Sequence, residues 1–190
     1  MAGQLKADFR EQSRIILVTG PARSGKSEWA EALAAQSDKR VTYIATSTID
    51  PDDKDWQARI AQHRQRRPED WQLREVPMDL VGAIASATAQ DCLLIDSLGT
   101  WLANLLDQDD EEWLQTVSSL VKSLRQTSST VILVSEETGW GVVPAYPLGR
   151  KFRDRLGYLT RQVGAVADPV YLVVAGYAVD LRLIGTAILS

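Results

Sequence analysis

The chain has 190 residues, of which 45% are apolar and 24% charged, globular averages that suffice for one sizeable core. A net charge of −4 argues against a general nucleic-acid binder, because no broad basic surface is on offer. A single cysteine, Cys92, excludes an intrachain disulfide, and its place in an apolar run predicts a buried structural thiol.

Met1 to Ser13 is polar and mixed in charge, with no hydrophobic signal-like core, so residues 1–13 read as a flexible N-terminal tail. Residues 14–190 read as a single domain. Within it, short β-branched runs alternate with helical patterns, which predicts an α/β fold whose parallel sheet is covered on both faces. Strands are expected at Arg14–Thr19, Val41–Thr46, Cys92–Asp96, Thr130–Ser135 and Pro169–Ala175. A last strand is expected near Arg182–Leu189, and a short edge strand at Gln72–Val76. Helices are expected over Glu28–Gln36, Asp110–Thr127 and Leu148–Ala167. The second carries an apolar stripe at Trp113, Val117, Leu120 and Leu124, and the third at Leu148, Phe152, Leu156, Leu159, Val163 and Val166. Aromatic members of these stripes, and the six tryptophans as a group, are expected in the core. No apolar run is long enough to span a bilayer, and a cytoplasmic protein is expected.

Chemistry concentrates in Gly20-Pro21-Ala22-Arg23-Ser24-Gly25-Lys26-Ser27, which has the G-x-x-x-x-G-K-S spacing of a Walker A phosphate loop between a strand and a helix. Glycines let backbone N–H groups turn toward phosphate, and the helix start adds the positive end of its dipole. Lys26 is expected to bridge the outer phosphates, and the Ser27 hydroxyl to ligate Mg²⁺. Cys92-Leu93-Leu94-Ile95-Asp96 has the Walker B pattern, which sets Asp96 toward the same metal across from Ser27.

The only histidine, His63, lies in a basic stretch closed by Pro68, which stops any helix by about Arg67. On a helix over Asp55–Arg66, Arg59, His63 and Arg67 share one stripe at i, i+4 and i+8. Two guanidiniums flanking an imidazole suit a triphosphate and favour a neutral ring, which is competent to attack phosphorus. The same residues also describe a solvated basic helix end.

Taken together, these motifs resemble the bifunctional adenosylcobinamide kinase / adenosylcobinamide-phosphate guanylyltransferase family of cobalamin biosynthesis. The resemblance runs from Ile15 to about Ala178. It rests on the phosphate loop, Tyr43-Ile44-Ala45-Thr46-Ser47, and Arg59-Ile60-x-x-His63-Arg64-x-x-Arg67-Pro68-x-x-Trp71. Further blocks are Leu93-Leu94-Ile95-Asp96, Trp101-Leu102-x-Asn104-Leu105-Leu106, Glu137-x-Gly139-x-Gly141-Val142-Val143-Pro144 and Phe152-Arg153-Asp154-x-Leu156-Gly157.

This resemblance implies a P-loop NTPase (RecA-like) three-layer fold with a mostly parallel central sheet, and a kinase/guanylyltransferase domain over 14–190. It implies phosphorylation of adenosylcobinamide by ATP or GTP, then transfer of GMP from GTP through a covalent GMP–histidine. Its catalytic residues would be His63 and Lys26, with Ser27 and Asp96 on Mg²⁺. Nucleotide contacts are implied for Gly20 to Ser27, Ala45, Thr46, Ser47, Arg64, Gln65, Arg66, Arg67, Glu75 and Asp96. The implied partners are small molecules, with no nucleic acid, and the implied assembly is a homotrimer.

Three departures stand out. Pro21 replaces a common glycine and removes one N–H from the loop, Glu136 stands where the family tends to place Asn, and Thr160 takes another usual Asn position. Two other readings compete: a P-loop kinase for another hydroxyl substrate with His63 as a bystander, and a nucleotide-operated switch. Against the switch, no Asn-Lys-x-Asp guanine-reading motif occurs in the sequence.

Overall fold

A computed structural model describes residues 14–48 and 67–188. Its strands are β1 (Ile15–Gly20), β2 (Arg40–Ala45), β3 (Gln72–Glu75), β4 (Asp91–Asp96), β5 (Thr130–Glu136), β6 (Val170–Val174) and β7 (Tyr177–Asp180). Its helices are α1 (Lys26–Ala35), α2 (Leu80–Ala85), α3 (Leu98–Ala103), α4 (Asp110–Gln126), α5 (Pro147–Gly164) and a single turn, α6 (Leu181–Ile184). The strands form one sheet in the order β3-β2-β4-β5-β1-β6-β7. Every neighbouring pair is parallel except β6–β7.

Successive side chains of a strand point to opposite faces, and the core divides accordingly. Ile15, Leu17, Leu93, Ile95, Val131 and Leu133 join the cluster that buries α2 to α5. Ile16, Val18, Cys92, Leu94, Ile132 and Val134 face the other way, onto Ala30, Leu33 and Ala34 of α1. Strands buried on both faces read as continuous apolar runs, and helix–sheet–helix layering follows from that. The four-residue stripe Trp113, Val117, Leu120, Leu124 is buried as its spacing predicts. Cys92 is buried and unpaired.

The structure corrects three expectations. Residues 182–188 do not form the last strand, and residue 189 lies outside the described residues: the chain turns at Ala175 (φ 50°) and Gly176 (φ 79°), pairs back along β6 as β7, and then makes α6. Asp180 ends the strand because its side chain accepts the Arg182 N–H at 2.9 Å, a helix cap. Leu148 is 59% exposed rather than part of the buried stripe of α5. Trp140, 60% exposed in the loop before α5, leaves the core group in which the tryptophans were placed, whereas Trp101 and Trp113 belong to it. Phosphate loop after β1, Walker B carboxylate at the end of β4 and β5 between them make this a RecA-like P-loop NTPase fold. Ligands of such open sheets gather at the carboxyl ends of the strands.

Candidate active site

The phosphate loop is held open by close packing and unusual backbone. At Gly20 a Cβ would fall 2.2 Å from the Val173 carbonyl oxygen, so only glycine lets β1 lie this near β6. Arg23 (φ 59°) and Gly25 (φ 95°) are left-handed, which curls the chain around its own N–H groups before α1 starts at Lys26. Lys26 Nζ donates to the Pro21 carbonyl at 3.3 Å, folding the ammonium back across the loop. Ser24 Oγ is buried without a hydrogen-bond partner among the described residues. Such an oxygen in a phosphate loop is satisfied when a ligand supplies the partner.

A cavity of about 380 Å³ opens in front of the loop. Of the residues expected to bind nucleotide or metal, Ala22, Lys26, Ser27, Ala45, Ser47, Arg67, Glu75 and Asp96 line it. Gly20, Pro21, Arg23, Ser24 and Gly25 stay in the loop beside it. Thr46 is fully buried behind the wall, donating its hydroxyl to the Ser97 carbonyl at 2.7 Å. His63, Arg64, Gln65 and Arg66, like Arg59, lie outside the described residues.

Strand order explains the meeting. β2 and β4 are neighbours, so the Tyr43 hydroxyl reaches across to donate to Asp96 Oδ2 at 2.9 Å. The Arg67 guanidinium stacks on the Tyr43 ring at 3.9 Å, a cation–π contact that holds a positive charge in the cavity wall. Burial, reinforced by the Asp96 carboxylate, pushes the Tyr43 phenol far above its ordinary range, so it stays a donor.

On the other side of Asp96, Glu136 ends β5. Its Oε2 accepts the Gly99 N–H at 3.0 Å, and its Oε1 accepts the Ser97 hydroxyl in a very short bond. Burial raises its carboxyl above the ordinary value and the Asp96 charge adds to that, while the Ser97 bond and Lys26 pull the other way. Glu137 faces elsewhere and takes the Thr19 hydroxyl at 2.7 Å. Thr160 shares a 2.7 Å hydrogen bond with Ser135 Oγ on β5, so this departure leaves a satisfied polar pair.

Tyr43, Leu73, Ser97, Gly99, Thr100, Ala103, Thr138 and Phe152 also line the cavity, although sequence reasoning gave none of them a site role. Phe152 was read as core, and it packs there with one face while lining the cavity with another. For Ser97 a signal existed: Ser97 and Thr100 form a capping box at the start of α3, marking a helix beginning right after the Walker B carboxylate.

Comparison with known proteins agrees with this geometry. The family described as cobinamide kinase / cobinamide phosphate guanyltransferase matches residues 16–181. The bifunctional adenosylcobalamin biosynthesis protein CobP of Pseudomonas aeruginosa is 42% identical over 168 residues, covering 87% of this chain and 96% of its own length. CobU of Escherichia coli, of the same description, is 39% identical over 183 residues, covering 88% of this chain and 99% of its own. A solved protein of Pyrococcus horikoshii OT3 superposes with a TM-score of 0.57 at 8% identity over 93% of this chain and 92% of its own, a likeness of fold alone. With a phosphate loop and a carboxylate-and-arginine wall around one cavity, and a match over nearly all of its length, the chain belongs to the cobinamide kinase / cobinamide phosphate guanyltransferase family.

Proposed function

We propose that this protein phosphorylates adenosylcobinamide with ATP or GTP and then transfers GMP from GTP to the new phosphate through a covalent GMP–histidine, giving adenosylcobinamide-GDP. One observation carries the reading: a single cavity joins the phosphate-loop residues Lys26 and Ser27 to Arg67 and Glu75, at the end of the chain segment that holds His63. In the sequence His63 stands four residues before Arg67, and Arg67 lines that cavity.

In the first step the aminopropanol hydroxyl oxygen bonds to the γ-phosphorus, and the bond to the bridging oxygen breaks with its electron pair leaving on the nucleoside diphosphate. In the second, an imidazole nitrogen of His63 bonds to the α-phosphorus of GTP and pyrophosphate leaves. A cobinamide-phosphate oxygen then attacks the same phosphorus, the P–N bond breaks, and the histidine is restored. Lys26 neutralises the outer phosphates in both steps, and Arg67 adds a second positive charge on the far wall.

The donor set fits Mg²⁺: Ser27 and Asp96 present a hydroxyl and a carboxylate to the same cavity, and Mg²⁺ takes one or two protein oxygens while keeping waters and phosphates. When bound, the ion would offset phosphate charge. A homotrimer and a cytoplasmic location belong to the same reading. Val174, Tyr177, Leu183 and Ile184, exposed around β7 and α6, supply apolar surface for a subunit contact.

The test is intact mass and peptide mapping after incubation with GTP and Mg²⁺. A GMP adduct on the peptide carrying His63, absent from His63→Ala, is expected, while His63→Ala still phosphorylates cobinamide. Full GMP transfer by His63→Ala would show that the nucleophile is another group.

A further inference from the structure

We propose that Glu136 is the general base of the phosphorylation step, taking the proton of the acceptor hydroxyl as its oxygen attacks the γ-phosphorus. This assignment rests on the kinase reading above. Among the described residues three carboxylates line the cavity: Glu75, Asp96 and Glu136. Their distances from the phosphate loop follow from the strand order, with neighbouring strands about 4.8 Å apart. Glu136 ends β5, next to β1, and pairs in register with Gly20, the first residue of the loop. Asp96 is two strands from β1, and Glu75, on edge strand β3, is four strands away or about 19 Å. Glu75 is therefore too distant to serve an alcohol at the γ-phosphate. Asp96 already holds the Tyr43 hydroxyl and stands at the metal position. The adjacent Glu137 does not line the cavity and is engaged by Thr19.

The Glu136 carboxylate is also pre-oriented. Ser97 Oγ donates to one oxygen and the Gly99 N–H to the other, which fixes the carboxylate plane and leaves each oxygen a second lone pair. Residue 99 is fitted to this arrangement, since a Cβ there would lie 2.1 Å from Glu136 Oε2. Burial resists ionisation of the carboxyl, which makes the ionised form a better proton acceptor than an exposed one. Proton balance is simple: the hydroxyl O–H breaks as the O–P bond forms, the proton rests on Glu136, and water removes it after the nucleoside diphosphate leaves.

The experiment measures the two half-reactions separately on the full chain. Phosphorylation is followed with γ-labelled nucleotide and cobinamide, and GMP transfer with α-labelled GTP and preformed cobinamide phosphate. Glu136→Gln, nearly isosteric, is expected to lower the phosphorylation kcat by about 10²–10³, with the KM for cobinamide within about threefold. The loss in GMP transfer is expected to be at least tenfold smaller, on the order of 10-fold. Gly99→Ala, which displaces the carboxylate without removing it, is expected to shift the two rates in the same unequal way. Phosphorylation by Glu136→Gln within about threefold of wild type overturns the proposal. Equal losses in both half-reactions overturn it too, since they mark a metal or structural role. A wild-type protein that transfers no γ-phosphate to cobinamide refutes the kinase reading itself, a different result from a Glu136 variant that behaves like wild type.

Discussion

Gly20→Ala tests whether the phosphate loop owes its position to the approach of β6. The new Cβ would stand 2.2 Å from the Val173 carbonyl oxygen, 3.2 Å from its carbon and 2.9 Å from Ser24 Oγ. An unstrained carbon–oxygen contact needs about 3.3 Å, so something must move by about 1 Å. Neither backbone is free to do so. β6 is tied to β1 through Leu17↔Val170, Val18↔Tyr171 and Thr19↔Leu172, and the Gly20 carbonyl accepts the Glu137 N–H at 2.9 Å. Overpacking of this kind costs about 1–3 kcal/mol. The smaller entropy of an unfolded alanine returns about 0.4–1 kcal/mol. A net loss of about 1–2 kcal/mol lowers the melting temperature by about 2–8 °C for a chain this long. A loop displaced by about 1 Å also loses on the order of 10² in turnover. Thermal unfolding with and without GTP and Mg²⁺, alongside both half-reaction rates, reads the two effects. Gly141→Ala is the control, because nothing lies within 4 Å of a Cβ there. A Gly20→Ala protein that melts within 1 °C of wild type and turns over normally would refute the reasoning.

Gly157→Ala should act in the opposite direction: the residue is exposed within α5, with nothing within 4 Å of a Cβ, so helix propensity alone predicts a gain of about 0.5–1 kcal/mol in chemical denaturation. Cys92 is buried and its thiol is pushed up to about 11, chiefly by burial, so a thiol reagent at pH 8 should label it only as fast as the protein unfolds. Prompt labelling of folded protein would contradict that packing. Asp91 is held below the ordinary carboxylate range first by the Thr88 N–H and hydroxyl, with Arg40 assisting. Its contribution to stability is therefore complete above the unfolded carboxylate range and drains away as pH falls through the lower folded value. Asp91→Asn should flatten the acid side of the stability profile and leave its alkaline side in place, as urea titrations between pH 2 and 8 would report.

What the sequence made legible was whatever depends on local pattern. The phosphate loop, the Walker B run and the 4-3-4 stripe of α4 each specify their element within a few residues, and each appears where expected. The short helices α2 and α3 have six residues apiece, too few for a periodic stripe, although Asp79 and Ser97 signal their starts as side-chain caps. The C-terminal error has a similar source. Leu181-Arg182-Leu183-Ile184 mimics strand alternation, but Asp180 caps it into a helical turn, and the hairpin before it turns on Ala175-Gly176. That dipeptide is not among the Asn-Gly and Asp-Gly signals by which such hairpins are usually recognised.

The candidate site was legible only where one segment supplies it. Tyr43, Asp96, Ser97 and Glu136 are brought together by the order β2-β4-β5-β1, and no stretch of sequence encodes which strands become neighbours. Glu136 illustrates the gap. In sequence it is one of two adjacent acids at and just beyond the end of β5, and nothing local says which of them turns to the cavity. The fold then gives them different work: Glu137 is turned back to Thr19 on β1, while Glu136 reaches the cavity and is clasped by the start of α3. Glu136, which departs from the family's usual Asn, is matched in place by Gly99, whose missing Cβ makes room for the carboxylate. The room at Gly99 and the hydrogen bonds from Ser97 and the Gly99 N–H offset the several kcal/mol that an unmatched buried carboxylate would cost the fold.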